Sequence, residues 1–280
     1  MSANAGTAVT CRDGGVDISM NPDALYQPII SLAPWFDTPA GAYAHAWEQS
    51  RLNELTADIF GYNAVQIGLP MFDTLAANRM PNRWITDFSL PSNVVSAERQ
   101  VVVVHDFTEL PFATQSLDLV VMPHVLEFSA EPHQVLREVE RVLIPEGQVI
   151  ICGFNPISMW GARQSAGRMT GAHFLPLHGE FISVPRLKDW LKLLNMEINR
   201  GHFGCYAPPC ATDKWLGRFS FLEKAGNRWW PYLGALYIVQ AIKRVQGMRL
   251  IGPAWDKKRS VVPGVMPVTN RMKKQRDQDG

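Results

Sequence analysis

VVVVHDFTELPFATQSLDLVVMPHVLEFSAEPHQVLREVERVLIPEGQVIICG, residues 101–153, carries three apolar runs, one amphipathic helix and several acids in a single stretch. The runs Val101–Val104, Leu117–Met122 and Gln148–Gly153 are short and rich in β-branched residues, as strands buried on both faces should be. Between the second and third, Val135, Leu136, Val139, Val142 and Leu143 recur at helical spacing, while Arg137, Glu138, Glu140 and Arg141 fill the other face. Pro145 and Gly147 end that helix and turn the chain into the next strand. Strand, helix, strand in this order demands a right-handed crossover and a parallel pair, so the fold class is α/β. The strands' carboxyl ends then carry His105-Asp106, Pro123-His124 and Gly153-Phe154-Asn155. Open parallel sheets bind their ligands along that edge.

Upstream, Gly41–Phe60 reads as a helix with Tyr43, Ala46, Trp47, Leu52, Leu55 and Ile59 on its apolar face. Asn63–Gly68 follows as the first strand, Asp73–Arg79 as a short helix, and Arg83–Thr86 as the second strand, ending at Asp87. Residues 1–40 hold scattered prolines and no sustained period, and read as an extension draped over the domain through Trp35 and Phe36. Downstream, Phe154–Glu180 reads as a loop, Ser183–Met196 as an amphipathic helix capped by Ser183, and Glu197–Tyr206 as a strand. Ala211–Trp230 is a helix or insertion, and Ala235–Ile242 the last strand.

A chain of 280 residues with 46% hydrophobic and 19% charged residues suits one good-sized core, here residues 41–245. The first residues show no secretory pattern, and no apolar run approaches the roughly 20 residues of a membrane span. Four irregularly spaced cysteines point to a reducing cytoplasm rather than a disulfide framework. His173, His178, His202, Cys205 and Cys210 lack CxxC or HExxH spacing, so no metal is expected. The net charge of +1 conceals a basic tail: residues 246–280 carry eight Lys or Arg against three Asp. That tail, expected to be largely disordered, either solubilises the chain or docks an anionic partner such as RNA.

The central stretch resembles a known family. Asp106, Leu110-Pro111-Phe112, Ser116-Leu117-Asp118, His124-Val125-Leu126-Glu127, Leu136-Arg137-Glu138 and Arg141-Val142-Leu143 match in order the second half of a class I S-adenosylmethionine-dependent methyltransferase of the type 11 subgroup. That pattern runs acid, LPF, S-h-D, SHVLEH, LREh-RVL and PGG. Phe128 departs from its last His and Glu146 from its first Gly. The first half departs further: Gln66 stands in place of an acid, and Gly68-Leu69-Pro70-Met71-Phe72 in place of GxGxG.

The resemblance implies a Rossmann-like, seven-stranded, mostly parallel sheet with helices on both faces, and S-adenosylmethionine as cofactor. It places Gly68 beside the methionine portion, Asp87 at the ribose, Asp106 and the backbone of Phe107 at the adenine, and Met122 and His124 at the end of the fourth strand, near the sulfonium. Asp87 lies nineteen positions after Gly68, near the spacing of about 20 for a ribose-binding acid, or else merely opens a loop. Asn155 and Trp160 would border the acceptor pocket, Trp160 as a lid or as a buried ring in a proline turn. Methyl transfer from a sulfonium is an in-line displacement governed by alignment. A base is needed only if the acceptor must lose a proton, and His124 is the candidate, since an unperturbed imidazole titrates near neutrality. Glu127 then reads as a solvent-facing residue of the next helix turn. Two functions remain: methyl transfer to an unidentified acceptor, the reading preferred on the retained Asp106, LPF and His124, or a non-catalytic methyltransferase-like binding protein, which Gln66 and the missing glycines favour.

Overall fold

β-branched and apolar residues at alternating positions, all buried, make the centre of the molecule a sheet sandwiched on both sides. A computed structural model describes residues 34–87, 100–103, 106–170, 179–209 and 228–245, with 32, 175, 223 and 226; of 87, 100–103 and 168–170 it describes the backbone alone. The extension before residue 32, positions 104–105, the histidines 173 and 178, most of the 211–230 segment and the tail from 246 lie outside the described residues.

The strands are β1 (Asn63–Ile67), β2 (Asn82–Asp87), β3 (Gln100–Val103), β4 (Leu117–Pro123), β5 (Leu143–Phe154), β6 (Met196–Gly204) and β7 (Leu236–Lys243). They form a seven-stranded sheet in the order β3-β2-β1-β4-β5-β7-β6. The first five are parallel and β7 is antiparallel to both β5 and β6, which is the mostly parallel sheet expected. Chain order reverses between β1 and β4. The crevice at that switch point is where a sheet of this kind takes its ligand.

The two-residue period sorts each central strand onto two cores. Val65, Ile67, Val120, Met122, Val149 and Ile151 face one side, against Val135, Leu136, Val139 and Val142 of the helix Pro132–Val142 and Leu187 and Leu191 of the helix Val184–Leu193. Ala64, Leu119, Val121, Ile150, Cys152 and Ile238 face the other, against Leu52, Leu55 and Ile59. Each such aliphatic side chain, fully buried, contributes about 1.5–3 kcal/mol. In chain order the helices are α1 (Pro39–Ala57), α2 (Val125–Phe128), α3 (Pro132–Val142), α4 (Met159–Thr170) and α5 (Val184–Leu193). None of the described helices is long and apolar enough to cross a membrane.

Thr38 fixes where α1 begins. Its hydroxyl donates to the Trp35 carbonyl at 2.7 Å and accepts from the Gly41 amide at 3.2 Å. A Cβ on Gly41 would come within 2.1 Å of that Trp35 carbonyl, so only glycine lets the first turn pass this close. Leu32, Trp35 and Phe36 are consequently buried in the main core, the last two as the drape expected of them.

Several local expectations need correction. Residues 73–79 form successive turns, Ala76 and Asn78 donating back to Asp73 and Leu75, rather than a helix. The 154–180 stretch contains α4. Strand β5 starts at Leu143, its pairing with β4 shifted by an irregularity between Leu117 and Leu119, and Glu146 takes φ 65° there. That is the left-handed region in which the family's glycine would be unstrained. On α1, Leu52 and Leu55 are buried and Tyr43 and Trp47 half-buried as expected, but Ala46 is exposed and Glu48 is buried beside them.

Candidate functional site

At the end of β1 the chain turns sharply, with Gly68 at φ 71° and Leu69 at φ 46°. Gln66 organises this turn from within. Its amide nitrogen is shared among the carbonyls of Gly68, Leu69 and Phe72 at 3.1, 2.9 and 3.0 Å, and its oxygen accepts from the Thr74 amide and hydroxyl at 3.2 and 2.7 Å. Three inward-facing carbonyls need a donor, and an ionised carboxylate has none. Glutamine in place of the family's acid is thus matched to the altered turn.

The turn buries two of its side chains. Leu69 and Phe72 are buried, Phe72 stacking on His45 with centroids 4.2 Å apart and meeting Phe36 edge-on at 4.5 Å. A Cβ on Gly68 would touch Val125 Cγ2 at 3.4 Å and Phe107 Cζ at 3.5 Å, so packed side chains already line that glycine.

At the end of β4, His124 also sits in the left-handed region, φ 55°, immediately before α2. Its amide donates to the Cys152 carbonyl at 3.1 Å, and its imidazole is completely buried between two acids. Nδ1 lies 3.0 Å from Glu127 Oε2 and Nε2 lies 2.9 Å from Glu48 Oε1. Burial alone would lower the histidine pKa, but the charge of Glu48 and the hydrogen bonds to both carboxylates outweigh it and push the pKa up to about 10. Burial in turn raises that of Glu127. The imidazolium is therefore the form present at neutral pH, and both ring nitrogens are taken. This corrects the reading of His124 as a base near neutrality. Glu127 is no solvent-facing residue either: its other oxygen accepts from the Phe154 amide. Glu48 Oε2 is buried without a hydrogen-bond partner among the described residues.

The third strand's side of the crevice follows the expected pattern more closely. Asp106, half-buried, accepts from the Thr108 amide at 2.9 Å in a tight turn. The Leu110–Phe112 segment is clamped from α3: Glu138 accepts from the Leu110 amide at 2.9 Å, and Arg141 donates to the Leu110 and Phe112 carbonyls at 3.2 and 2.9 Å. The Arg141 guanidinium also holds the Glu138 carboxyl below its ordinary pKa. The LPF and LREhxRVL motifs are thus two halves of one contact.

The backbone of Asp87 pairs with Val103 at the end of β2. Met122 is wholly buried in the sheet's core. Asn155 and Trp160 are both buried. The Asn155 amide donates to the carbonyls of Tyr232 and Gly234, and Trp160, 1% exposed, donates to the Ala207 carbonyl and packs on Trp35. Both are buried structural residues, and Trp160 is not a lid. A cleft of about 480 Å³ opens beyond α2, its lining including His133, Arg186 and Trp190.

Residues 85–151 match the methyltransferase domain family. Over 179 residues the chain is 32% identical to the uncharacterized protein YafS of Escherichia coli (strain K12), an alignment covering 64% of this chain and 71% of YafS. The chain belongs to the class I S-adenosylmethionine-dependent methyltransferases, type 11 subgroup. Solved structures share the fold at low identity. A chain of the Haloferax volcanii complex between the Trm112 methyltransferase activator and a methyltransferase aligns with TM-score 0.55 at 16% identity, covering 79% of this chain and 99% of its own. A SAM-dependent methyltransferase from Thermotoga maritima aligns with TM-score 0.55 at 14% identity, over 79% of this chain and 99% of its own.

Against the family's donor, this methyltransferase presents a crevice of two unlike halves. The third-strand side retains an acid, the half-buried Asp106. The first-strand side does not fit the methionine portion in the arrangement described, because Leu69, Phe72, Phe36 and Phe107 are packed around Gly68 and His124.

Proposed function

We propose that this methyltransferase transfers a methyl group from S-adenosylmethionine to an acceptor, in a state more open than the one described. The observation supporting this reading is the match of residues 85–151 to the methyltransferase domain family, with Asp106 half-buried a few residues beyond β3, on the edge where such sheets take their ligands. No reaction step is assigned to a side chain, since in-line displacement asks chiefly for alignment. Among the described residues Cys152 and Cys205 are unpaired, which is in keeping with a cytoplasmic setting. Calorimetry with S-adenosylhomocysteine tests the reading: wild type binds, and Asp106→Ala binds about 1–3 kcal/mol more weakly.

A second reading, a non-catalytic binding protein on the same fold, is favoured by the Gln66 hydrogen bonds that hold the turn shut. No heat of binding from correctly folded wild type at millimolar ligand would establish it over the first.

A further inference from the structure

Large apolar side chains left in water are not spread evenly over this protein. Among the described residues eleven are exposed, and six of them, Ile157, Met159, Trp229, Trp230, Tyr232 and Leu233, sit on two loops. Those loops leave the same edge of the sheet, since Phe154, the last residue of β5, pairs with Leu236, the first of β7. Asn155 ties them together: its Oδ1 accepts from the Ile157 amide at 3.1 Å, and its Nδ2 donates to the Tyr232 and Gly234 carbonyls at 2.8 and 2.9 Å. The exposure is large, at 70% for Trp229, 58% for Trp230 and 73% for Tyr232. A single exposed aromatic needs no explanation, but a cluster held on a hydrogen-bonded frame does.

The chemistry of the cluster narrows its occupant. Trp and Tyr, apolar in body and polar at the tip, prefer the boundary between hydrocarbon and water. By sequence, residues 209–233 carry four cations, Lys214, Arg218, Lys224 and Arg228, against the acids Asp213 and Glu223. Of those acids, Glu223 is turned inward, accepting from the Tyr206 amide and the Tyr43 hydroxyl. Arg228 stands exposed beside Trp229, and Arg163 is exposed on α4, close to Met159 in the chain. Aromatic anchors with a surplus of cations complement an anionic bilayer surface, where each basic residue near the headgroups adds about 1 kcal/mol.

We propose that the loops holding Ile157–Met159 and Trp229–Leu233 dock this protein on anionic lipid headgroups. Docking turns the carboxyl edge of the parallel strands, and the crevice in it, toward the bilayer. The inference does not rest on methyl transfer, because vesicle binding is read independently of any activity.

The test is co-sedimentation of the full chain with vesicles of phosphatidylcholine alone and of phosphatidylcholine mixed with phosphatidylglycerol. Wild type should pellet with the mixed vesicles, little with the neutral ones, and less as salt rises. The triple variant Trp229→Ser, Trp230→Ser, Tyr232→Ser alters only exposed side chains, so its circular dichroism and melting should match wild type, while its partition onto mixed vesicles falls by about tenfold or more. Failure of wild type to bind mixed vesicles at low salt overturns the proposal. So does equal binding to both vesicle types, or a triple variant that binds like wild type. A lipid-free dimer that the same substitutions dissolve would also overturn it, showing that a second copy covers the cluster.

Discussion

The turns after β1 and β4 face each other across the switch point and are closed by opposite chemistry. After β1, one neutral amide, Gln66, satisfies the turn's backbone while Leu69 and Phe72 fill the space. After β4, two carboxylates grip one imidazolium that has no access to water. The neutral closure depends on shape and hydrogen-bond polarity, and so is indifferent to pH. The ionic closure depends on a proton, and losing the imidazole leaves two buried carboxylates without their cation. The β4 side should therefore be the more sensitive of the two, both to substitution and to solution conditions.

The largest effect separating them is expected from His124→Leu, which strands Glu48 and Glu127 in the core. Urea unfolding should show a loss of about 3–5 kcal/mol, the usual consequence of breaking a buried ion pair from one side. A loss below about 1 kcal/mol would mean that the carboxylates are solvated or protonated without the imidazole, and the contrast would collapse.

The proton dependence sharpens the same point. The folded-state pKa of His124, about 10, lies above the unfolded value of 6.5, so its stabilisation is complete below pH 6.5 and is lost as pH rises toward 10. The raised carboxyl of Glu127 acts in the same direction at lower pH, favouring the fold while protonated. Unfolding free energies measured from pH 7 to 9 should fall by up to about 1.4 kcal/mol per pH unit, the slope for one proton. The slope should flatten in His124→Leu and persist in Gln66→Ala.

Gln66→Ala should cost about 1–3 kcal/mol, because buried carbonyls lose their donor. Gln66→Glu restores the family's acid yet points a carboxylate at those carbonyls, so it should be at least as destabilising at pH 7 and partly recover in acid. The smallest effect is expected outside both turns. Glu138→Gln weakens the α3 clamp on Leu110–Phe112 by about 1 kcal/mol, and since the Glu138 pKa is depressed, that contribution is present above its unfolded value and lost as pH falls.

The same contrast explains what could be read from sequence. β4, the core of β5 and α3 were legible because their signals are local: alternation, helical spacing and an ordered run of motifs. The triad was not. Glu48 and His124 lie 76 positions apart, and an amphipathic reading assigns a carboxylate to water. The one available signal was that Glu48 falls on the stripe of Ala44, Leu52 and Leu55, the buried side of α1. Likewise the i, i+3 spacing of His124 and Glu127 permitted their contact without revealing that both would be buried. Gln66 looked like decay of a motif. Only the inward carbonyls of residues 68–72 show it to be the complementary residue, and those follow from backbone angles at Gly68 and Leu69 that no side-chain pattern announces.

Cys152 lies on β5, its carbonyl on the His124 amide, with its thiol wholly buried. Burial first, and then the negative charges of Glu48 and Glu127, push that thiol's pKa well above the ordinary range. A thiol rather than a thiolate, shut away from solvent, is inert to alkylating reagents, and Cys205 is silenced in the same way. Chemistry at Cys152 can proceed only in the moments when the covering elements lift. With Cys11, Cys205 and Cys210 changed to serine, the labelling rate becomes a clock for how often the crevice breathes, timed by an atom the protein already owns.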